Sequence, residues 1–207
     1  MWPDPVFYPI IDTEACRAHA RDPLEVAVAC LGGGARYLQL RSKRGRGAEF
    51  LALADAMISA ARPYEAAVIV NDRADIGAMA GASGVHVGQD DLPVAEARRI
   101  LGPRLIVGVS THDEQQVDAA LATSADYIAV GPIYGTATKD TGYTARGLAL
   151  VGYAAARGKP VAAIGGITLD RVPEVLAAGA TAIAVISDLL HGDPERRTRQ
   201  FVDLVHV

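Results

Sequence analysis

Eight short apolar runs recur along the chain, each followed by a polar or glycine-containing turn and, in most cases, by a segment with helical spacing of its apolar residues. The runs are VFYPII (6–11), YLQLR (37–41), AVIV (67–70), GVHV (84–87), LIVGVS (105–110), YIAVGP (127–132), VAAI (161–164) and AIAVIS (182–187). They repeat roughly every 20 to 30 residues. Helices are predicted between and after them over 22–31, 47–62, 73–80, 93–102, 113–122, 147–158, 169–179 and 193–205. Pro93 suits a helix start, and Gly102, Gly158 and Gly179 suit helix ends.

Near-continuous apolar strands alternating with amphipathic helices predict a parallel sheet, because each parallel connection needs a crossover that covers a sheet face. Eight such units predict an α/β fold of one domain, 1–207, closed as a (β/α)8 TIM barrel smaller than most. An open doubly wound sheet is the alternative, and it would carry a glycine fingerprint after its first strand. No GxGxxG occurs, GRGAEF (45–50) lacks the final glycine, and GYAAARGKP (152–160) spaces its glycines too widely for a P-loop.

Composition changes this picture little. Half of the 207 residues are apolar, which excludes a disordered chain, and the net charge of −4 gives no global attraction for nucleic acid or anionic lipid. Cys16 and Cys30 have neither zinc nor CxxC spacing and read as packing residues. The N-terminal segment lacks a basic region followed by an apolar one, and no apolar run reaches bilayer length, so a cytoplasmic protein is expected. Basic residues are lopsided, with seventeen arginines and only three lysines, Lys43, Lys139 and Lys159.

In such a barrel the chemistry sits at the C-terminal ends of the strands and in the loops just after them. Those positions hold Gln39, Arg41 and Lys43; Asn71 and Asp72; Gln89, Asp90 and Asp91; Ser110, Thr111 and His112; Thr136, Thr138 and Lys139; Gly165 and Gly166; Ile186 and Ser187. Gln39, Arg41 and Lys43 alternate, so an extended backbone aims all three the same way. Inward cations are costly unless they meet anions at the barrel mouth, and guanidinium and ammonium groups both suit phosphate oxygens. The bland alternative is a solvated basic turn running on into Arg44 and Arg46.

Asp72 and Asp91 follow adjacent strands and could share a cation such as Mg²⁺, although NDR and QDD are also ordinary turn and cap sequences. Asn71 is the chain's only asparagine. IGGIT offers backbone N–H groups that a phosphate can approach closely, and ISD can open a short helix whose start favours an anion. That pair of turns follows strands seven and eight, where many barrels bind phosphate, though two glycines can equally serve a tight turn. His86 reads as a hydrogen-bonded core histidine, His112 as either a ligand contact or a helix cap, and no Ser-His-Asp or cysteine nucleophile is evident.

Taken in order, QLRSK, IVNDRADI, GVHVGQDDLP, VGVSTH, YIAVGPIYGTATK, AIGGIT and AVIS resemble the thiamine phosphate synthase family over nearly the whole chain. The resemblance implies a cytoplasmic (β/α)8 transferase of thiamine biosynthesis that joins hydroxymethylpyrimidine diphosphate to thiazole phosphate and releases pyrophosphate. By motif it implies that Gln39, Arg41, Lys43, Asn71, Ser110 and Lys139 bind the pyrimidine diphosphate, with Arg41, Lys43, Lys139 and Ser110 catalytic. It implies Mg²⁺ on Asp72 and Asp91, and thiazole phosphate on Thr136, Ala137, Thr138, Gly166, Ile186 and Ser187. Small-molecule substrates are implied, without nucleic acid or membrane, and a homo-oligomer is compatible with it. One departure stands out: Gly135 replaces the proline of the usual PTxTK motif. The polar stretch KDTGYTARG (139–147) is expected to be a mobile lid. The related thiazole tautomerases, or a silent binder of phosphorylated thiazole, are the rival readings; the retained diphosphate residues favour the synthase.

Overall fold

The computed structural model describes residues 5–135 and 143–206. Within them eight strands form a closed, all-parallel barrel in chain order, β1 (Val6–Asp12), β2 (Tyr37–Arg41), β3 (Ala67–Asn71), β4 (Gly84–Val87), β5 (Ile106–Thr111), β6 (Tyr127–Val130), β7 (Val161–Ile164) and β8 (Ala182–Val185). β8 pairs back onto β1, Val6 opposite Ala182 and Pro9 opposite Val185. The described helices are α1 (Thr13–Ala18), α2 (Pro23–Gly32), α3 (Gly47–Ala61), α4 (Ala74–Ala80), α5 (Val94–Leu101), α6 (Glu114–Leu121), α7 (Gly147–Ala155), α8 (Val172–Ala177) and α9 (Pro194–Val205).

The sequence pattern predicts these strands to within two residues at their ends, and the differences have local causes. β1, β3 and β5 run on into Asp12, Asn71 and Thr111, polar residues that keep extended backbone because they sit where the barrel meets its mouth. β6 stops at Val130, since Pro132 has no N–H to continue the ladder. The segment 169–179 divides at Pro173 into a 3₁₀ turn, Leu169–Arg171, and α8. Helix α1 is unexpected. Six residues show no resolvable period, and the helix rests on its cap, Asp12, whose carboxylate accepts from the N–H of Ala15 at 2.8 Å.

Two hydrophobic layers follow from strand alternation. Outward residues such as Leu38, Leu40, Val68, Val70, Val85 and Val107 pack under the helices together with Cys16 and Cys30, whose thiols burial pushes up to about 11 and about 12. Those cysteines are therefore inert packing groups, as expected. α9 closes the seam, stacking Phe201 on Phe7 with centroids 4.6 Å apart. The inner layer is Tyr8, Ile10, Ile69, Tyr127, Ala129, Ala162, Ala182, Ala184 and Ile186. Small residues on β6 to β8 leave the upper interior unfilled, and that space is the pocket described next.

Candidate active site

The pocket opens at the C-terminal ends of the strands and is lined on one side by Gln39, Arg41, Asn71, His86 and Ser110, on the other by Gly165, Gly166, Ile186 and Ser187. Gln39, Arg41, Asn71, Ser110, Gly166, Ile186 and Ser187, picked out from the sequence, therefore line one cavity.

β2 carries Gln39 and Arg41 inward, as alternation requires, and both are buried. The anion that Arg41 meets is a carboxylate: its Nη1 donates to Asp12 Oδ2 at the top of the neighbouring strand, in register with Arg41. Asp12 is only 2% exposed and divides its two oxygens between this guanidinium and the α1 cap. Arg41 Nε has no protein partner although it is buried. A buried donor without an acceptor is costly, and Arg41 is one of the residues that line the cavity.

Lys43 lies just beyond β2, half exposed, with its ammonium against Asp72 and 4.0 Å from Asp91 Oδ1. Asp72 follows β3 in the left-handed backbone region, φ +63°, with its N–H bonded to the carbonyl of His86 on β4 at 2.7 Å. Asp91 is fixed from the other side, accepting from Gly88 N–H at 2.9 Å. Burial, and then the neighbouring carboxylate of Asp91, raises the Asp72 carboxyl above its ordinary value. The pair thus gathers around a cation already, Lys43, with hard oxygen donors of the kind that suit Mg²⁺. Among the described residues no cluster of three or more His, Cys, Asp or Glu side chains could enclose a metal by itself. Two carboxylates completed by substrate phosphates and water fit that limit.

Opposite, Gly165 and Gly166 adopt φ +103° and +64°, which glycine alone accepts readily. A Cβ on Gly166 would lie 2.7 Å from the carbonyl of Gly135 and 2.9 Å from Tyr134 Cβ. The carbonyl of Gly166 is drawn outward by Arg171 Nη1, whose guanidinium stacks over Tyr134. Ser187 opens the expected short helix, a 3₁₀ turn over Ser187–Leu190, braced by a two-point pair between buried Asp188 and Arg197 at 2.9 and 3.0 Å. Asn71 ends β3 buried in the cavity wall.

Thr136, Ala137, Thr138 and Lys139 lie outside the described residues, as does the part of the expected lid over 139–142. His86 is a buried, doubly bonded core histidine as expected, and it also lines the pocket. His112 is buried, bonded through Nδ1 to the carbonyl of Gly131 and stacked on Tyr143 at 4.2 Å; its backbone N–H, not its side chain, takes part in the start of α6 by donating to Gln116. Sequence reasoning missed Asp12, Tyr8 and Tyr127. Tyr8 and Tyr127 sit inside runs read as hydrophobic and Asp12 directly follows one, and their signal is a polar atom at a strand position.

Known proteins place this geometry in a family. Residues 7–189 match the family model described as thiamine monophosphate synthase. The thiamine-phosphate synthase of Mycobacterium sp. (strain JLS) is 46% identical over 90% of this chain and 88% of its own. That of Anaeromyxobacter dehalogenans (strain 2CP-C) is 48% identical over 84% of this chain and 79% of its own. The solved thiamine phosphate pyrophosphorylase of Pyrococcus furiosus superposes with a TM-score of 0.88 at 29% identity, covering 98% of this chain and 96% of that one. At 19% identity, 3-hexulose-6-phosphate synthase shares the fold alone, with a TM-score of 0.72. With its family model matched over most of its length and relatives of this identity, the chain belongs to the thiamine monophosphate synthase family.

Proposed function

We propose that the chain, as one catalytic barrel domain over 1–207, joins hydroxymethylpyrimidine diphosphate to thiazole phosphate, releasing pyrophosphate and leaving thiamine phosphate. The observation that supports this reading is a cavity lined by Arg41 on one side and by Gly165, Gly166 and Ser187 on the other, with the Lys43, Asp72 and Asp91 cluster at the strand tops beside Arg41 and Asn71. Arg41, Lys43 and the Asp72–Asp91 pair suit a diphosphate, whereas the Gly165–Gly166 turn and Ser187 suit a single phosphate.

Each residue then has a task. Arg41 and Lys43 stabilise negative charge growing on the departing diphosphate, with Lys139 assigned the same role by motif, and Ser110 and Asn71 hold the pyrimidine beside Gln39. Asp72 and Asp91 would hold Mg²⁺, which when bound supplies neutralising charge to the diphosphate. For that to happen the Lys43 ammonium must leave its place between the carboxylates, and its half-exposed side chain is free to swing toward the phosphate oxygens. The aminopyrimidine can delocalise the cation left behind, so no covalent enzyme nucleophile is needed. The thiazole nitrogen, tethered by its phosphate in the glycine turn, then attacks at short range.

Pyrophosphate release measured with both substrates and Mg²⁺, omitting each in turn, tests the reading. Release that requires all three, with thiamine phosphate formed in equal amount, is expected. Thiazole phosphate binding without release would turn the assignment to a tautomerase or a silent binder. Two substitutions separate the two sides. Asp72→Asn is expected to lower turnover at limiting Mg²⁺ by at least about tenfold while leaving thiazole phosphate affinity nearly intact, as titration calorimetry would show. Gly166→Ala is expected to do the reverse, raising the KM for thiazole phosphate by about tenfold or more because the new methyl group crowds the Gly135 carbonyl and Tyr134. An unchanged KM in that variant would remove the turn from the phosphate site.

A further inference from the structure

Below the barrel mouth, five polar side chains from five strands form one hydrogen-bonded chain across the barrel interior. Gln39 Nε2 donates to Tyr8 Oη at 2.9 Å; Tyr8 Oη lies 3.1 Å from Tyr127 Oη; Tyr127 Oη lies 2.9 Å from His86 Nδ1; and His86 Nε2 lies 2.8 Å from Ser110 Oγ. All five residues are at least nine-tenths buried. The arrangement has been given room: a Cβ on Gly108 of β5 would lie 2.0 Å from Tyr127 Cζ and 2.4 Å from its Oη, and that ring stacks on His86 at 5.5 Å and meets Tyr8 edge-on at 6.1 Å.

Proton counting gives this chain a direction. Burial pushes both phenols well above their ordinary range, so each keeps one proton to donate. Gln39 lies within hydrogen-bonding reach of both phenols, which matches an amide nitrogen with two protons. With that nitrogen donating, Tyr8 passes its proton toward Tyr127 and Tyr127 toward His86 Nδ1. The proton of a neutral imidazole then sits on Nε2 and is given to Ser110 Oγ. What remains for the cavity, which both end residues line, is the Gln39 carbonyl oxygen as acceptor and the Ser110 hydroxyl as donor.

We infer that Tyr8, Tyr127 and His86 are positioning residues that set the hydrogen-bonding polarity of the pocket, selecting a ring edge with an amino donor beside a ring-nitrogen acceptor over its oxo counterpart. The inference rests on the reading in which Gln39 and Ser110 flank the pyrimidine. An oxo ring presents the reverse pattern, a carbonyl acceptor beside an N–H donor. To welcome it the whole chain must reverse, with the Gln39 amide turned over and the His86 tautomer exchanged. A site with buried, committed donors and acceptors discriminates far more strongly than an apolar one.

The ligand-free protein gives the first test. Long-range ¹H–¹⁵N NMR of the imidazoles, with His86 assigned by loss of its signals in His86→Asn, is expected to show the Nε2–H tautomer in the parent chain. In Gln39→Glu, whose side chain only accepts when ionised, the Nδ1–H tautomer is expected. An Nδ1–H tautomer in the parent overturns the inference, whatever becomes of the variant. Pyrophosphate release then compares the aminopyrimidine diphosphate with its 4-oxo analogue. The parent is expected to favour the amino compound by at least about 100-fold in kcat/KM, and Tyr127→Phe to reduce that ratio by about tenfold or more. A purely structural tyrosine would slow both compounds alike and leave the ratio unchanged, which counts against the inference. A parent that turns over both compounds equally also overturns it. No release from either compound would overturn the functional reading while leaving the tautomer result to stand or fall on its own.

Discussion

Turnover of an Arg41→Ala variant is expected to fall by about 10²–10³-fold, the usual loss when one preorganised donor to developing charge is removed. Arg41 has the features of such a donor. Its side chain is about nine-tenths buried, anchored through Nη1 on Asp12, and lines the cavity. Because it is held before substrate arrives, little reorganisation is needed at the moment the diphosphate leaves. Arg41→Lys is expected to recover only a small part of the loss. A lysine could restore the charge but not the planar fork that serves Asp12 and a phosphate oxygen together. Single-turnover measurements isolate the chemical step; a fall of less than about threefold in Arg41→Ala would take Arg41 out of the charge-stabilising role.

Asp12→Ala is expected to produce the largest loss of stability, about 3–5 kcal/mol, measurable as a shift in denaturant midpoint at unchanged slope. Removing this carboxylate leaves the Arg41 guanidinium buried and unpaired, and it also uncaps α1, a helix too short to persist on propensity. The double variant Asp12→Ala with Arg41→Ala is expected to be more stable than the sum of the two single losses, by roughly 1–3 kcal/mol, because it contains no orphaned charge. Strict additivity would mean that the pair is not coupled. Activity follows a different order: Asp12→Ala keeps the guanidinium but not its aim, so its turnover should lie between that of the parent and that of Arg41→Ala.

The barrel itself was legible because its signals are local. Parallel strands covered on both faces read as apolar runs, and helix ends carry Pro93, Gly102, Gly158 and Gly179, the last three with φ of +77°, +87° and +98°. The polar residues at the barrel mouth were legible for a related reason. A barrel puts chemistry at its strand tops, so Gln39, Arg41, Asn71, Asp72, Asp91, Ser110, Gly166 and Ser187 could be picked out by position before any contact was known. Helix α1 and the splitting of 169–179 were not legible, since each depends on a single cap or proline in a segment too short to show a period.

Partnership across the barrel is a different matter. Lys43 was expected to face phosphate, and it is held by Asp72 and Asp91, which sequence distance gave no reason to pair with it. Asp12 and Arg41 are 29 positions apart and Tyr8 and Tyr127 are 119 apart, yet they touch. The sequence alone determined that inward positions at the strand tops would be polar, because alternation along a strand is a one-dimensional property. Only the closed sheet, through its register and through the space left by Gly108 and the alanines of β6 to β8, decided which polar groups meet, and a buried polar atom takes its chemical character from the partner it meets.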